Sequence, residues 1–212
     1  LHNDPRGDEL VHFLDAISTN VTSFFREAHH FEFLERAMRG WLDDGASRFR
    51  FWSAACSTGE EPYSLAITLL ETLGGQNVDL KILASDISHR VLQHAAQGRY
   101  GENSMKPVPE AIRRAYFAKN GDTWQVAPKL QSLITFGSLN LSRQPFPMKG
   151  PFDVIFCRNV MIYFDAPTQR KVLERIHKVM RPGGLLFVGH SENFTDSRDL
   201  FRLRGKTIYE RV

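Results

Sequence analysis

The chain has 212 residues, 42% of them hydrophobic, enough to bury the core of one α/β domain with a small insertion. Its 27 Lys and Arg against 24 Asp and Glu leave a net charge of only +3 without a basic run, which argues against nucleic-acid binding. No stretch approaches a membrane span, no secretory leader is visible, and Cys56 and Cys157 give neither a disulfide framework nor a metal set, so reduced cytosolic thiols are expected.

In chain order, Leu10, Val11, Phe13, Leu14 and Ile17 share one face of a helix over residues 8–18. This reads as the last helix of something larger, and a start at Leu1 rather than Met reads as a trimmed chain. Residues 18–27 are polar and rich in cap formers, interrupted by Phe24 and Phe25, which suggests a linker with a helix cap at Thr22 or Ser23. A helix of about residues 30–41 follows, with Leu34, Ala37, Met38 and Trp41 as core positions.

Residues 49–63 organise everything after them. An alternating β-prone run enters a loop of Cys, Ser, Thr and Gly, and Glu60-Glu61-Pro62 then opens a helix that stops at Gly74-Gly75. Strand, small-residue loop and helix begin a nucleotide-type site, because small side chains let a ligand approach the backbone. A dinucleotide fingerprint needs three glycines, and only Gly59 is present. Two carboxylates at the helix start would also repel a pyrophosphate. They suit a cationic, amino-bearing ligand, which points from NAD toward S-adenosylmethionine. Alternatively, they merely complement the helix dipole.

A second strand, residues 80–86, ends in Asp86, placed to accept ribose hydroxyls, while Ser88 is free to cap the helix that runs to Gln97. Residues 98–133 break the rhythm. A turn at 98–101 and a short helix to Tyr116 precede Asn120-Gly121, a hairpin signal between Phe117 and Trp124, and the resulting β element is a plausible peptide-docking edge. The strand at 134–141 brings Asn140 and Leu141, an amide and an apolar face suited to adenine. A buried strand over 152–159 carries Arg158 and Asn159 to its carboxyl end, and residues 160–164 form an apolar, aromatic wall. Asp165 caps a helix to Met180, residues 181–184 turn into a strand at 185–189, and a hairpin about Arg204-Gly205-Lys206 closes the chain.

Four stretches, Thr19–Glu27, Ser57–Ser64, Phe156–Phe164 and Gly189–Phe194, resemble the chemotaxis receptor methyltransferases of the CheR family, and the likeness covers nearly the whole chain. The resemblance implies a class I S-adenosylmethionine-dependent methyltransferase, an α/β Rossmann-like fold with a mostly parallel seven-stranded sheet. On this reading residues 1–27 are the last helix and linker of an N-terminal helical domain. Residues 28–212 are the methyltransferase domain, with a β subdomain inserted at about 98–133.

It implies methyl transfer to glutamate side chains in the cytoplasmic helical region of methyl-accepting chemoreceptors, with S-adenosylhomocysteine as product. It also implies a cytoplasmic monomer, with no metal, nucleic acid or membrane insertion. Carried over by position, Asn20, Thr22 and Arg26 reach the cofactor or its methyl end. Glu61 holds the ammonium, Asp86 the ribose, and Asn140 with Leu141 the adenine. Arg158 and Asn159 line the methionine side, and Tyr163 lies by the methyl, with Arg26 and Tyr163 as the catalytic pair. A methyltransferase for another protein, or a regulatory cofactor-binding module, would share the cofactor motifs.

The chain departs from the family in two places. Members that dock a receptor's C-terminal pentapeptide carry a longer glycine-containing loop than Lys119–Asp122, so the resemblance stops short of that docking. The resemblance also leads one to expect that most of the N-terminal helical domain, the part resembling the receptor-contact surface, is missing from this stretch, so that it binds cofactor yet methylates poorly.

Overall fold

The computed structural model describes residues 22–194 and 197–212, so the helix expected at 8–18 and the site candidate Asn20 lie outside the described residues. Its centre is a seven-stranded sheet in the order β6-β2-β1-β7-β8-β10-β9. The strands are β1 (Arg48–Ser53), β2 (Asp79–Asp86), β6 (Ile134–Ser138), β7 (Phe152–Cys157), β8 (Met180–Val188), β9 (Phe201–Gly205) and β10 (Ile208–Arg211). The first five pair in parallel, and β10 runs antiparallel to β8 and to β9.

Period-two alternation sorts the buried residues onto the two faces. Phe49, Phe51, Val154, Phe156 and Phe187 join one core with Leu34 and Met38 of α1 (Ala28–Asp43) and Leu65 and Leu69 of α2 (Glu60–Leu73). Trp52, Ile155, Cys157, Leu186 and Val188 join the other, under Val172, Leu173 and Ile176 of the helix Ala166–Val179. Burial of both faces explains why β7 reads as a continuous apolar run. Strand order reverses between β1 and β7, and a crevice opens there at the carboxyl ends of the strands.

The hairpin at Asn120-Gly121 forms as β4 (Phe117–Asn120) and β5 (Thr123–Val126), with Gly121 at φ 59. Residues expected as a turn form a third strand instead: β3 (Arg99–Gly101) pairs with β5, because Tyr100 is drawn into the core and its neighbours must extend. Residues 181–184 fall within β8 but take no partner on β7, whose register passes from Phe152↔Met180 to Val154↔Leu185, and Gly183 sits at φ 69, so the expected turn appears as a bulge inside the strand. Neither Thr22 nor Ser23 caps α1; its N-cap is Glu27 at φ 60, with no side-chain cap bond. Phe24 accounts for this, since it is buried edge-on to Tyr100 at 4.9 Å and Phe117 at 5.5 Å, holding the preceding segment away from the helix axis. Phe25 N–H donates to Ser64 Oγ at 2.9 Å, so the segment is fixed to α2 as well.

Gly59, the N-cap of α2, sits at φ 98, and a Cβ there would lie 2.7 Å from Tyr100 Oη and 2.8 Å from Ala95 Cβ. Strain and overpacking should together make Gly59→Ala cost about 2–4 kcal/mol. Denaturant unfolding checks this, and a loss below about 1 kcal/mol would mean that the loop shifts freely.

Candidate functional site

A cavity of about 670 Å³ lies at the strand-order reversal, within the range of small-ligand sites. Thr22, Arg26, Glu61, Asp86, Asn140, Leu141, Arg158, Asn159 and Tyr163 all line it. Every site residue expected from the sequence within the described residues therefore meets at one place, although they come from five separate segments.

The acidic side is built by the strand ends and α2. Asp86, the last residue of β2, accepts from Ser57 N–H at 2.9 Å through Oδ2 and from Ser88 N–H at 3.0 Å through Oδ1. Ser88 is the N-cap of the helix His89–Gln97, its hydroxyl accepting from Val91 N–H, so Asp86 is not needed as the cap. The two carboxylates at the start of α2 have separate surroundings. Glu60 turns away, accepting from the Thr58 hydroxyl at 2.7 Å, whereas Glu61 faces the cavity and accepts from the Ser53 hydroxyl at 2.7 Å. Burial pushes the Glu61 carboxyl above its usual range, and the Arg158 guanidinium opposes that rise.

Arg158 is almost wholly buried and donates to Glu61 Oε2 at 3.3 Å and to the Arg26 carbonyl at 2.5 Å. Its Nη2 also lies 3.6 Å from Glu27 Oε1. Sequence position alone placed Arg158 as a ligand-lining cation; the structure gives its guanidinium two further tasks, balancing Glu61 and tying residues 26–27 to the sheet.

The rest of the lining is less charged, and its Asn140–Leu141 stretch adjoins Asp86, whose carbonyl accepts from Leu139 N–H at 2.9 Å. The Asn140 Oδ1 accepts from Ser142 N–H and Oγ at 2.9 and 2.7 Å, which leaves the amide N–H₂ as the group to offer a base edge. Leu141 presents an apolar surface beside it, and Tyr163 stands at the mouth, 55% exposed.

Ser57 was not singled out from the sequence. It lines the cavity at φ 47, and its hydroxyl is buried without a hydrogen-bond partner among the described residues, which marks it as a donor awaiting a ligand. Its only signal in the sequence is its place in the small-residue loop. Cys56 and Cys157 are free and buried, and burial raises both thiols, so neither offers a thiolate nucleophile.

Among the described residues, Glu27, His29 and His30 bring three ligand-type atoms within 4.8 Å of one another. Burial, with Arg158 and His29 adding to it, lowers the His30 pKa to about 3, so His30 is neutral beside Glu27. The Arg158 guanidinium already supplies positive charge here, and the cluster reads as the end of an ion-pair network.

Residues 20–209 match the family described as CheR methyltransferase, SAM binding domain. The chain belongs to this family. It is 44% identical to chemotaxis protein methyltransferase 2 of Pseudomonas aeruginosa over 212 residues, covering 98% of this chain and 75% of that one. It is 43% identical to the Escherichia coli chemotaxis protein methyltransferase, over 99% of this chain and 73% of that one. The Salmonella typhimurium chemotaxis protein methyltransferase is 46% identical over 93% and 68%.

Family membership makes the chain an S-adenosylmethionine-dependent methyltransferase of chemotaxis, and the cavity suits that cofactor. Its acidic side, Glu61 and Asp86, matches an ammonium and ribose hydroxyls, and the unpartnered Ser57 hydroxyl adds a further polar contact. No helix among the described residues is long and apolar enough to cross a membrane.

Proposed function

We propose that this CheR-family methyltransferase esterifies glutamate side-chain carboxylates of chemoreceptors, giving glutamyl γ-methyl esters and S-adenosylhomocysteine. The observation that carries the reading is that one cavity gathers carboxylates, Glu61 and Asp86, together with Arg26 and the aromatic Tyr163. The carboxylates suit a ligand carrying an ammonium and a ribose, and Arg26 suits an incoming carboxylate.

S-adenosylmethionine supplies an electrophilic methyl on a sulfonium. Glutamate, with a reference pKa of ~4.3, is already ionised near neutral pH, so no strong general base is needed. Anion and cation lose charge as they approach the transition state, which favours a wall that excludes water. Ile162 and Phe164 supply that wall beside Tyr163. Arg26 steers the carboxylate to the mouth without clamping it, since a tight pair would hold back the ground state. Thr22 and Asn159 border the methyl end, and Arg158 keeps Glu61 ionised for the ammonium. Asp86 holds the ribose, and Asn140 with Leu141 the adenine. By the resemblance alone, Asn20 is assigned to reach the cofactor or its methyl end.

Incubation with methyl-labelled S-adenosylmethionine and a receptor cytoplasmic fragment tests the substrate. Label released as methanol by mild base is the expected result. Label fixed in a base-stable form would point to a different acceptor, and cofactor binding without transfer would point to a regulatory module.

A further inference from the structure

We propose that Glu192 is the positioning residue that sets the Asn159–Tyr163 wall of the active site. The proposal rests on the methyltransferase reading, but the geometry that motivates it lies outside the cofactor cavity. Glu192 is 4% exposed and does not line the cavity. Its two carboxylate oxygens accept four backbone N–H groups. Oε1 takes Val160 N–H at 3.0 Å and Met161 N–H at 2.7 Å. Oε2 takes Asn159 N–H at 3.0 Å and Gly189 N–H at 2.5 Å.

These donors need one acceptor because of where the chain turns. β7 ends at Cys157, Asn159 sits at φ 58, and Met161–Tyr163 form a 3₁₀ turn, so three successive N–H groups lose strand partners together. Buried N–H groups without partners are costly, and a carboxylate binds several at once. Gly189 admits the close approach, since a Cβ there would come within 2.8 Å of Asn159 N. One buried carboxylate thus joins the end of β8 to the segment carrying Asn159, Ile162 and Tyr163. Those three side chains line the cavity, whereas Asp86, Asn140 and Leu141 stand on other elements.

The proposal therefore predicts a split. In Glu192→Gln the amide oxygen keeps two donors and the amide N–H₂ confronts the other two. Methyl transfer at saturating cofactor should fall by about 30-fold or more, with S-adenosylhomocysteine affinity changed less than about 5-fold. Adding Tyr163→Phe to Glu192→Gln should cost far less than it costs the wild type, because the wall is already displaced. Amide hydrogen exchange should speed up at residues 159–161 and 189 while β1 and β2 remain protected. Asp165→Ala, which removes the cap of the helix Ala166–Val179 at Thr168 N–H, is the structural control and should lower thermal stability without touching turnover.

Turnover in Glu192→Gln within 2-fold of wild type, additive losses with Tyr163→Phe, or unchanged exchange at 159–161 would each overturn the role. If the wild type methylates no receptor fragment, the substrate assignment fails. The exchange pattern and the product affinity would then decide the role of Glu192 by themselves.

Discussion

Asp86→Ala should weaken S-adenosylhomocysteine binding at least ~100-fold in calorimetric titration. A charge-assisted hydrogen bond contributes about 1.5–3 kcal/mol, and a ribose offers two hydroxyls to one carboxylate. The side chain also shapes the loop that meets the ligand, since Ser57 N–H and Ser88 N–H both end on it. Truncation would leave those donors unpaired and free Ser57 from its φ of 47. Asp86→Asn separates the two effects. It keeps one acceptor oxygen and the side-chain size, so it should retain more stability than alanine while still losing most of the affinity. Binding of alanine and wild-type protein within 3-fold of each other would remove Asp86 from the ribose site.

Much of the sheet was legible because its buried strands declare themselves by apolar runs and several helices by a cap or stop residue. Gly74 stops α2 at φ 53, and Asp165 caps its helix through Thr168 N–H, as the residue types suggest. The site candidates emerged because ligand-facing residues in such folds follow the carboxyl ends of strands, a rule about position. Long-range partners were not legible. Nothing local says that Phe24 packs on Tyr100, or that Thr22 and Ser23 are thereby denied a capping role. Nor does the sequence show that β8 begins at Met180 and that residues 181–184 bulge within it, since that depends on the pairing of Met180 and Leu185 with β7. Glu192 is the extreme case. It lies in a stretch recognisable as a motif, yet its role depends on four N–H groups from a loop about 30 residues earlier and from Gly189. Ion pairs behave alike: Arg158 could be placed at a strand end, but its pairing with Glu61 required the fold.

Arg158→Met should cost about 3–5 kcal/mol of unfolding free energy, the usual penalty for removing one partner of a buried pair. Glu61 would keep the Ser53 hydroxyl and the more distant Arg26 charge but lose its buried guanidinium partner, and the Arg26 carbonyl would lose its donor. The deficit should depend on pH with a definite sign. Burial already raises the Glu61 carboxyl above 4.5, and the guanidinium is the chief opposing influence, so its removal raises the carboxyl further. The native variant then holds a proton that the unfolded chain releases once pH passes ~4.3, and stability falls as pH climbs through that window. Urea titrations should accordingly show a smaller gap from wild type at pH 5 than at pH 8. The double variant Arg158→Met/Glu61→Gln removes both charges and should regain a large part of the stability. It should not regain cofactor affinity, because a neutral amide cannot replace the carboxylate facing the ammonium. A single-variant deficit below 1 kcal/mol, or one equal at both pH values, would show that Arg158 and Glu61 are not energetically paired. Recovery of affinity in the double variant would instead show that the ammonium is held elsewhere, and the acidic end of the cavity would need a different ligand group.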